Sequence, residues 1–102
     1  MITEATLFVT YRGDAATRLD RDYYIQTHMP LVRDAWSPHG LLAAAAFFPA
    51  ADGGDTLAVA VCRFRDEAAM AAAFESPATA GVLADVRNFT DVQPSHCRGV
   101  AL

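Results

Sequence analysis

Apolar residues recur along this chain with the spacing of strands and helices in turn. Residues 2–11 are rich in β-forming side chains and end at a turn-like Arg-Gly-Asp segment, which predicts a first strand. Asp20 or Asp22 then stands where a helix cap is expected. The apolar positions that follow fall at helical spacing: Ile25, Met29, Val32 and Trp36. A strand followed by an amphipathic helix is therefore expected.

The middle of the chain predicts two further strands joined by a turn. Segment 41–49 is ambiguous, because its alanines favour helix. Its length, the flanking Gly40 and Pro49 and its aromatic pair favour a buried strand. Glycines and aspartates at 51–55 predict a turn, and the strand-like segment 57–64 follows it. Together these features indicate a β-hairpin.

The last third of the chain predicts helical segments and then a final strand. Asp66 is a candidate cap for one helix, and a second helix is expected from Pro77 to about Val86. Residues 92–100 have the pattern of a strand, in which Pro94 suits an edge position or a bulge.

The order βαββαβ predicts an α+β, ferredoxin-like fold. Right-handed crossovers place the helices on one face of a four-stranded antiparallel sheet. The central hairpin is apolar at nearly every position, so both faces of the sheet require burial. Because the helices cover only one face, we expect the other to meet the same face of a second copy, giving a homodimer.

Composition narrows the function classes. A chain of 102 residues predicts a single domain over 1–102. The net charge is −4, lysine is absent and the eight arginines are scattered, which argues against nucleic acid and anionic membranes as partners. No apolar run is long enough to span a bilayer, and the start of the chain lacks a secretory pattern. We therefore expect a cytoplasmic protein with Cys62 and Cys97 reduced.

The strongest chemical signal is His28, two residues before a proline. Pro30 cannot donate to the carbonyl of Gln26, and Met29 is biased away from helical angles, so a kink is expected. Tyr24, four residues before His28, shares its helix face. An imidazole suits proton transfer at neutral pH, which predicts His28 as general acid or base and Tyr24 as its hydrogen-bonding partner. Alternatively, His28 only fixes the kink by bonding a backbone carbonyl.

Asp85 is the third candidate catalytic residue. It could pair with His28 and raise its basicity, or it could be an ordinary carboxylate bonding the amides near Asn88. Candidate ligand-pocket residues are Tyr23, Trp36, Phe89 and His96, although Trp36 and Phe89 are more typical of a core than of a ligand platform. The sequence has no glycine-rich phosphate loop, serine elbow or metal-ligand spacing, so neither a cofactor nor a metal is expected.

Two segments resemble the EthD family of the dimeric α/β-barrel superfamily. The first is residues 20–31, with Tyr23-Tyr24 and His28-Met29-Pro30-Leu31, and the second is residues 84–92 after Ser76-Pro77. The family typically has Phe-Asp before the tyrosine pair, whereas Arg21-Asp22 stands there in this chain. The resemblance implies a ferredoxin-like protomer and a dimer whose sheets face each other as a barrel.

The resemblance implies a range of chemistries. Similar proteins act as decarboxylases or cofactor-free oxygenases in aromatic polyketide pathways, and related barrels include isomerases and haem-degrading enzymes; haem would find only His28 as a ligand here. We therefore expect a dimeric protein that acts on a hydrophobic, aromatic or phenolic small molecule by proton transfer through His28. The alternatives are a non-catalytic ligand-binding or accessory dimer and a purely structural dimer module.

Overall fold

The computed structural model describes residues 3–51 and 54–100. The strands are β1 Ala5–Arg12, β2 Leu41–Phe47, β3 Thr56–Phe64 and β4 Ser95–Val100. The α-helices are α1 Arg21–Tyr23, α2 Met29–Trp36, α3 Glu67–Glu75 and α4 Pro77–Asp85. A π-helical turn, Tyr24–His28, joins α1 to α2, and 3-10 turns follow α2 at Ser37–His39 and α4 at Val86–Asn88.

The strands form one antiparallel sheet in the order β2-β3-β1-β4. This confirms the predicted α+β, ferredoxin-like arrangement. On β1, Val9 lies opposite His96 of β4, and Leu7 lies opposite Arg98. Leu7 and Val9 are buried. Since facing residues point to the same side of a sheet, His96 and Arg98 lie on the side that the helices cover.

The hairpin of β2 and β3 forms as predicted, but β2 is not a buried strand. It lies at the edge of the sheet, and only Ala44 among its residues is buried in the protomer. The final strand begins at Ser95 rather than at 92, because Pro94 has no N–H to give to a ladder. Ile2 of the predicted first strand and positions 52–53 of the predicted turn lie outside the described residues.

The predicted helix caps form. Asp20 accepts from the backbone N–H of Tyr23 at 3.1 Å, and Asp66 accepts from that of Ala69 at 2.7 Å. Gly40 ends the helical region with φ of 88°, a left-handed conformation that glycine adopts without steric cost.

The helix that carries His28 widens where a kink was predicted. Met29 has helical angles, φ −64° and ψ −40°, so the expectation that it would leave the helical region was wrong. Its N–H donates to the carbonyl of Tyr24, five residues back, which is the hydrogen bond of a π turn. The chain thus passes Pro30 by inserting one residue into the turn.

The π turn changes which side chains face the core. The apolar spacing placed Ile25 on the buried face, yet Ile25 is 43% exposed. Tyr24 and His28 are 0% and 4% exposed instead. One additional residue rotates the preceding helical segment by about 100°, because each residue advances an α-helix by that angle. The two residues with polar groups are therefore the ones directed inward.

Phe89 is the centre of the aromatic cluster beneath the π turn. Its ring centroid lies 4.6 Å from that of His28 and 5.1 Å from that of Tyr24. Tyr11 of β1 meets Phe89 edge-on at 5.6 Å. These contacts fix the π turn between the sheet and the segment after α4.

The sheet face opposite the helices is apolar and open. It carries Phe8, Phe47, Val59 and Val61, and Phe47 is 57% exposed. Within residues 3–51 and 54–100, no element covers this face, which we call the open face. None of the helices in that part of the chain has both the length and the apolar character that crossing a bilayer requires.

Candidate functional site

A partly buried hydrogen bond joins the π turn to the end of α4. His28 Nδ1 lies 2.9 Å from Asp85 Oδ2, and the two side chains are 4% and 12% exposed. An ionised carboxylate can only accept, so Nδ1 must carry the proton that is shared with Asp85. That tautomer leaves a lone pair on Nε2. Within the described residues, Nε2 makes no hydrogen bond.

Two further donors hold the carboxylate of Asp85. The Tyr23 hydroxyl donates to Oδ1 at 2.6 Å, and Asn88 Nδ2 donates to the same oxygen at 3.0 Å. Burial raises the pKa of Asp85, but the hydrogen bonds from Tyr23, Asn88 and His28 together lower that pKa below its usual value. Asp85 therefore stays ionised at neutral pH, and both of the contacts considered for it, to His28 and near Asn88, are present.

His28 is held in its neutral form. Burial lowers the pKa of His28, and the opposing effect of Asp85 is smaller. A neutral imidazole in water-poor surroundings can accept a proton on Nε2. The proton on Nδ1 meanwhile stays hydrogen-bonded to the carboxylate of Asp85. The arrangement has the chemistry of a general base with an orienting carboxylate.

Tyr24 lies beside His28 with an unmatched hydroxyl. The two rings are stacked, with centroids 5.9 Å apart and planes inclined by 20°. The Tyr24 hydroxyl is buried and has no hydrogen-bond partner in the described part of the protein. Leaving such a group unpaired costs about 1–3 kcal/mol. Burial also raises the pKa of Tyr24, so the phenol remains a donor.

His28 and Tyr24 line a small inner cavity between the sheet and the helices. Its other walls include Val9, Tyr11 and Val86. The centre of a water molecule can occupy about 30 Å³ of this cavity. That volume holds one or two water molecules. The cavity is therefore too small, as it stands, for an aromatic substrate.

A larger outer cavity adjoins the inner one. Its volume by the same measure is about 310 Å³. Trp36, Leu83 and His96 line both cavities, so the two share a wall. The remaining outer lining comes from the sheet and from α3 and α4: Leu7, Phe74, Thr79 and Arg98. Pockets for small organic ligands begin at about this size.

The structure separates the candidate pocket residues into two pairs. Trp36 and His96 line both cavities, whereas Tyr23 and Phe89 line neither. Tyr23 instead holds Asp85, and Phe89 packs against the ring of His28. Sequence reasoning missed Arg98 as a lining residue, although strand alternation already placed it on the same side as His96.

No metal centre is evident at this site. Within the described residues, no group of three or more histidine, cysteine, aspartate or glutamate side chains could hold a metal ion. Cys62 is buried, which raises the pKa of its thiol to about 11, and Cys97 is exposed. Both are free, as expected from strands that flank β1 on opposite sides.

The lowered pKa of His28 predicts that stability falls on acidification. The unfolded chain binds this proton near pH 6.5, and the folded protein binds it only at lower pH. The contribution of neutral His28 to the free energy of unfolding is therefore complete above about pH 6.5. It is lost as the pH falls through the pKa of His28 in the folded protein, with a slope of at most about 1.4 kcal/mol per pH unit. Protonation of Asp85 lowers the free energy of unfolding further below about pH 3.8. Urea unfolding of the wild type from pH 7.5 to 5 measures the slope.

The matched variants are His28→Gln and His39→Gln. His28→Gln should flatten the slope over this pH range, whereas His39→Gln, at a histidine in the turn after α2, should keep it. Equal slopes for the wild type and His28→Gln would contradict the assignment.

Comparison with known proteins shows which family this chain resembles. A model of the EthD domain matches residues 17–93. None of the curated proteins compared matches the sequence. Among solved structures, an EthD-like protein from Ralstonia eutropha is 21% identical with a TM-score of 0.81, over 97% of this chain and 92% of its own.

Two other solved structures share the fold. An ethyl tert-butyl ether D (EthD) family protein from Bacillus halodurans is 15% identical with a TM-score of 0.76, covering 97% of this chain and 99% of its own. SnoaB, a cofactor-independent oxygenase from Streptomyces nogalater, is 12% identical with a TM-score of 0.64, covering 98% of this chain and 91% of its own. At these identities the likeness to each structure shows the fold alone. The domain match covers most of the chain, and the protein therefore belongs to the EthD family.

Proposed function

We propose that the protein binds a hydrophobic, aromatic or phenolic small molecule in the two adjoining cavities and that His28 transfers a proton to or from it. The observation that carries this proposal is the hydrogen bond between Asp85 and the buried His28 at the wall of a cavity. The unpaired hydroxyl of Tyr24 supports it, because a buried donor without an acceptor suits a ligand oxygen.

The proton transfer follows from the hydrogen-bond pattern. Nε2 of His28 accepts a proton from an acidic C–H or O–H of the ligand, and the bonding electrons remain on the ligand as an enolate or phenolate. The Tyr24 hydroxyl donates to that developing oxyanion. Asp85 stabilises the imidazolium through Nδ1 and does not itself take the proton. The same imidazolium can then return the proton to another atom of the ligand.

Several reactions share this step. Return of the proton to a different carbon is an isomerisation. Protonation of the carbanion left after loss of CO₂ completes a decarboxylation. In a cofactor-free oxygenation, the electron-rich anion itself reduces molecular oxygen. The fold shared with SnoaB is compatible with the last class but does not select it.

The open face supports assembly as a homodimer. Phe8, Phe47, Val59 and Val61 form an apolar surface that a second copy of the same face would bury. A stable interface needs about 1,200–2,000 Å² in total, which a sheet face can provide. The cavities lie on the helix side of the sheet, so each protomer would keep its own site.

A non-catalytic ligand-binding role is the second candidate function. The observation that favours it is the size of the inner cavity, about 30 Å³, which admits water but no organic substrate to His28. Catalysis therefore requires movement of a wall. Leu83 is suited to move, because it is 54% exposed and lines both cavities. Without such movement, a ligand would stay in the outer cavity.

Substitution of His28 tests catalysis. Phenolic acids, anthrones and lactones are incubated in D₂O with the wild type, His28→Gln and Asp85→Asn, and mass spectrometry follows deuterium uptake, CO₂ loss and oxygen incorporation. We expect His28→Gln to lower the rate by about 10²–10⁴-fold, the usual contribution of general acid–base catalysis. Asp85→Asn should also lower it, because an amide can stabilise the wrong tautomer.

His39→Gln is the matched control for this experiment and should turn over at the wild-type rate. An equal rate for His28→Gln and the wild type would contradict the catalytic role. Binding without any product, lost on substitution of His28, would favour the second candidate function.

Light scattering tests the dimer. At micromolar concentration the wild type should have twice the 10.9 kDa mass of one chain. Phe47→Asp puts a charge in the open face and should shift the mass to that of a monomer, because burying an unpaired charge is strongly unfavourable. Ile25→Asp, on an exposed helix position, should leave the mass unchanged. A monomeric wild type would contradict the interface.

A further inference from the structure

The outer cavity has apolar walls with few polar groups free to meet a ligand. Trp36 Nε1 donates to Thr79 Oγ1 at 2.8 Å, and that hydroxyl donates to the carbonyl of Ala73 at 2.6 Å. The indole N–H and the threonine hydroxyl are therefore already engaged. The lining side chains that remain for polar contacts are His96 and Arg98.

In the described part of the chain, Arg98 lines the outer cavity, and like Arg21 it stacks on an aromatic ring instead of pairing with a carboxylate. Arg18 pairs with Asp91 at 3.1 Å, and Arg63 pairs with Glu4 at the same distance. Arg98 has no carboxylate partner among the described residues, and its guanidinium carbon lies 5.2 Å from the centroid of the Phe74 ring. Stacking on an aromatic ring leaves the N–H groups at the edge of the guanidinium free to bind an anion.

Among residues 3–51 and 54–100, no carboxylate lines the outer cavity, although the protein carries a net charge of −4. Arg98 is exposed to solvent, so its charge lies at the open side of this cavity, where a ligand can supply the negative charge that none of the described neighbouring side chains provides. Arginine forms two parallel hydrogen bonds to a carboxylate, which makes this residue selective for that group.

We infer that the outer cavity takes the acidic end of an aromatic carboxylic acid and that Arg98 is the residue that selects the carboxylate. This inference rests on the proposed function, because it names the substrate class of the same site. Cavities of roughly 150 Å³ hold one benzene ring. The outer volume of about 310 Å³ thus fits a carboxylate on one or two fused rings.

The register of β4 separates this carboxylate from the base. His96 lines both cavities, but Arg98 lines only the outer one. Two residues along a strand span about 7 Å. A carboxylate held by Arg98 would therefore lie in the outer cavity, whereas His28 lines the inner one. The carboxylate acts as a binding group, and the proton that His28 transfers belongs to a different part of the ligand.

Binding of 2-naphthoate and its neutral analogue 2-naphthamide tests the inference. Dissociation constants are measured by ligand fluorescence for the wild type, Arg98→Gln, Arg98→Lys and the charge-matched control Arg87→Gln. We expect the wild type to bind the acid about fivefold to tenfold more tightly than the amide, as a charge-assisted hydrogen bond allows. Arg98→Gln should lose that preference while keeping its affinity for the amide.

The controls separate charge from specific recognition. Arg87→Gln removes one positive charge elsewhere and should keep the preference. Arg98→Lys should keep part of it, because an ammonium retains the charge without the paired geometry. Equal binding of both compounds by the wild type, failure of both to bind, or a preference that survives in Arg98→Gln would each overturn the inference.

The result that would refute proton transfer by His28 differs from the result that would refute anion selection by Arg98. Proton transfer by His28 can be present in the deuterium experiment even if Arg98 selects no anion. Conversely, selection of the acid by Arg98 with no effect of His28→Gln on any product would refute the proton transfer and leave a carboxylate-binding cavity.

Discussion

The hydrogen bond between His28 and Asp85 connects the parts of this structure that matter for chemistry. It joins residues 57 positions apart, one in the π turn and the other at the end of α4. Burial alone would favour a neutral carboxyl group on Asp85 and an uncharged, freely tautomeric imidazole on His28. The donors from Tyr23 and Asn88 keep the carboxylate ionised, and the carboxylate then decides which imidazole nitrogen is protonated. Packing of the His28 ring and the charge of Asp85 together determine where the lone pair on Nε2 points.

The π turn is the local structure that makes this pair possible. A regular α-helix over the same residues would bury Ile25 in accordance with the apolar spacing. The extra residue buries Tyr24 and His28 in its place, and Phe89 packs against both rings. The site is thus formed by a departure from regular helix geometry, which is common where π turns occur. An unpaired tyrosine hydroxyl in such a place lowers stability, and a ligand oxygen would offset that loss.

The element order and most boundaries could be predicted because they depend on local chemistry. Asp20, Asp66 and the Gly40 turn act through their nearest neighbours, and the apolar hairpin permits few pairings. The π turn could not be predicted, because its advantage lies in contacts with Phe89 and Asp85, which are distant in sequence. Sequence reasoning also named Tyr23 and Phe89 as candidate pocket residues. Their positions behind Asp85 and His28 depend on where the segment after α4 lies.

The tautomer of His28 tests the central claim most directly. Long-range ¹H–¹⁵N NMR distinguishes a protonated from an unprotonated ring nitrogen. At pH 7 we expect His28 to be neutral, with its proton on Nδ1 and a free lone pair on Nε2, and we expect Asp85→Asn to change that population. A proton on Nε2, or a doubly protonated ring at pH 7, would contradict the role of His28 as a base oriented by Asp85.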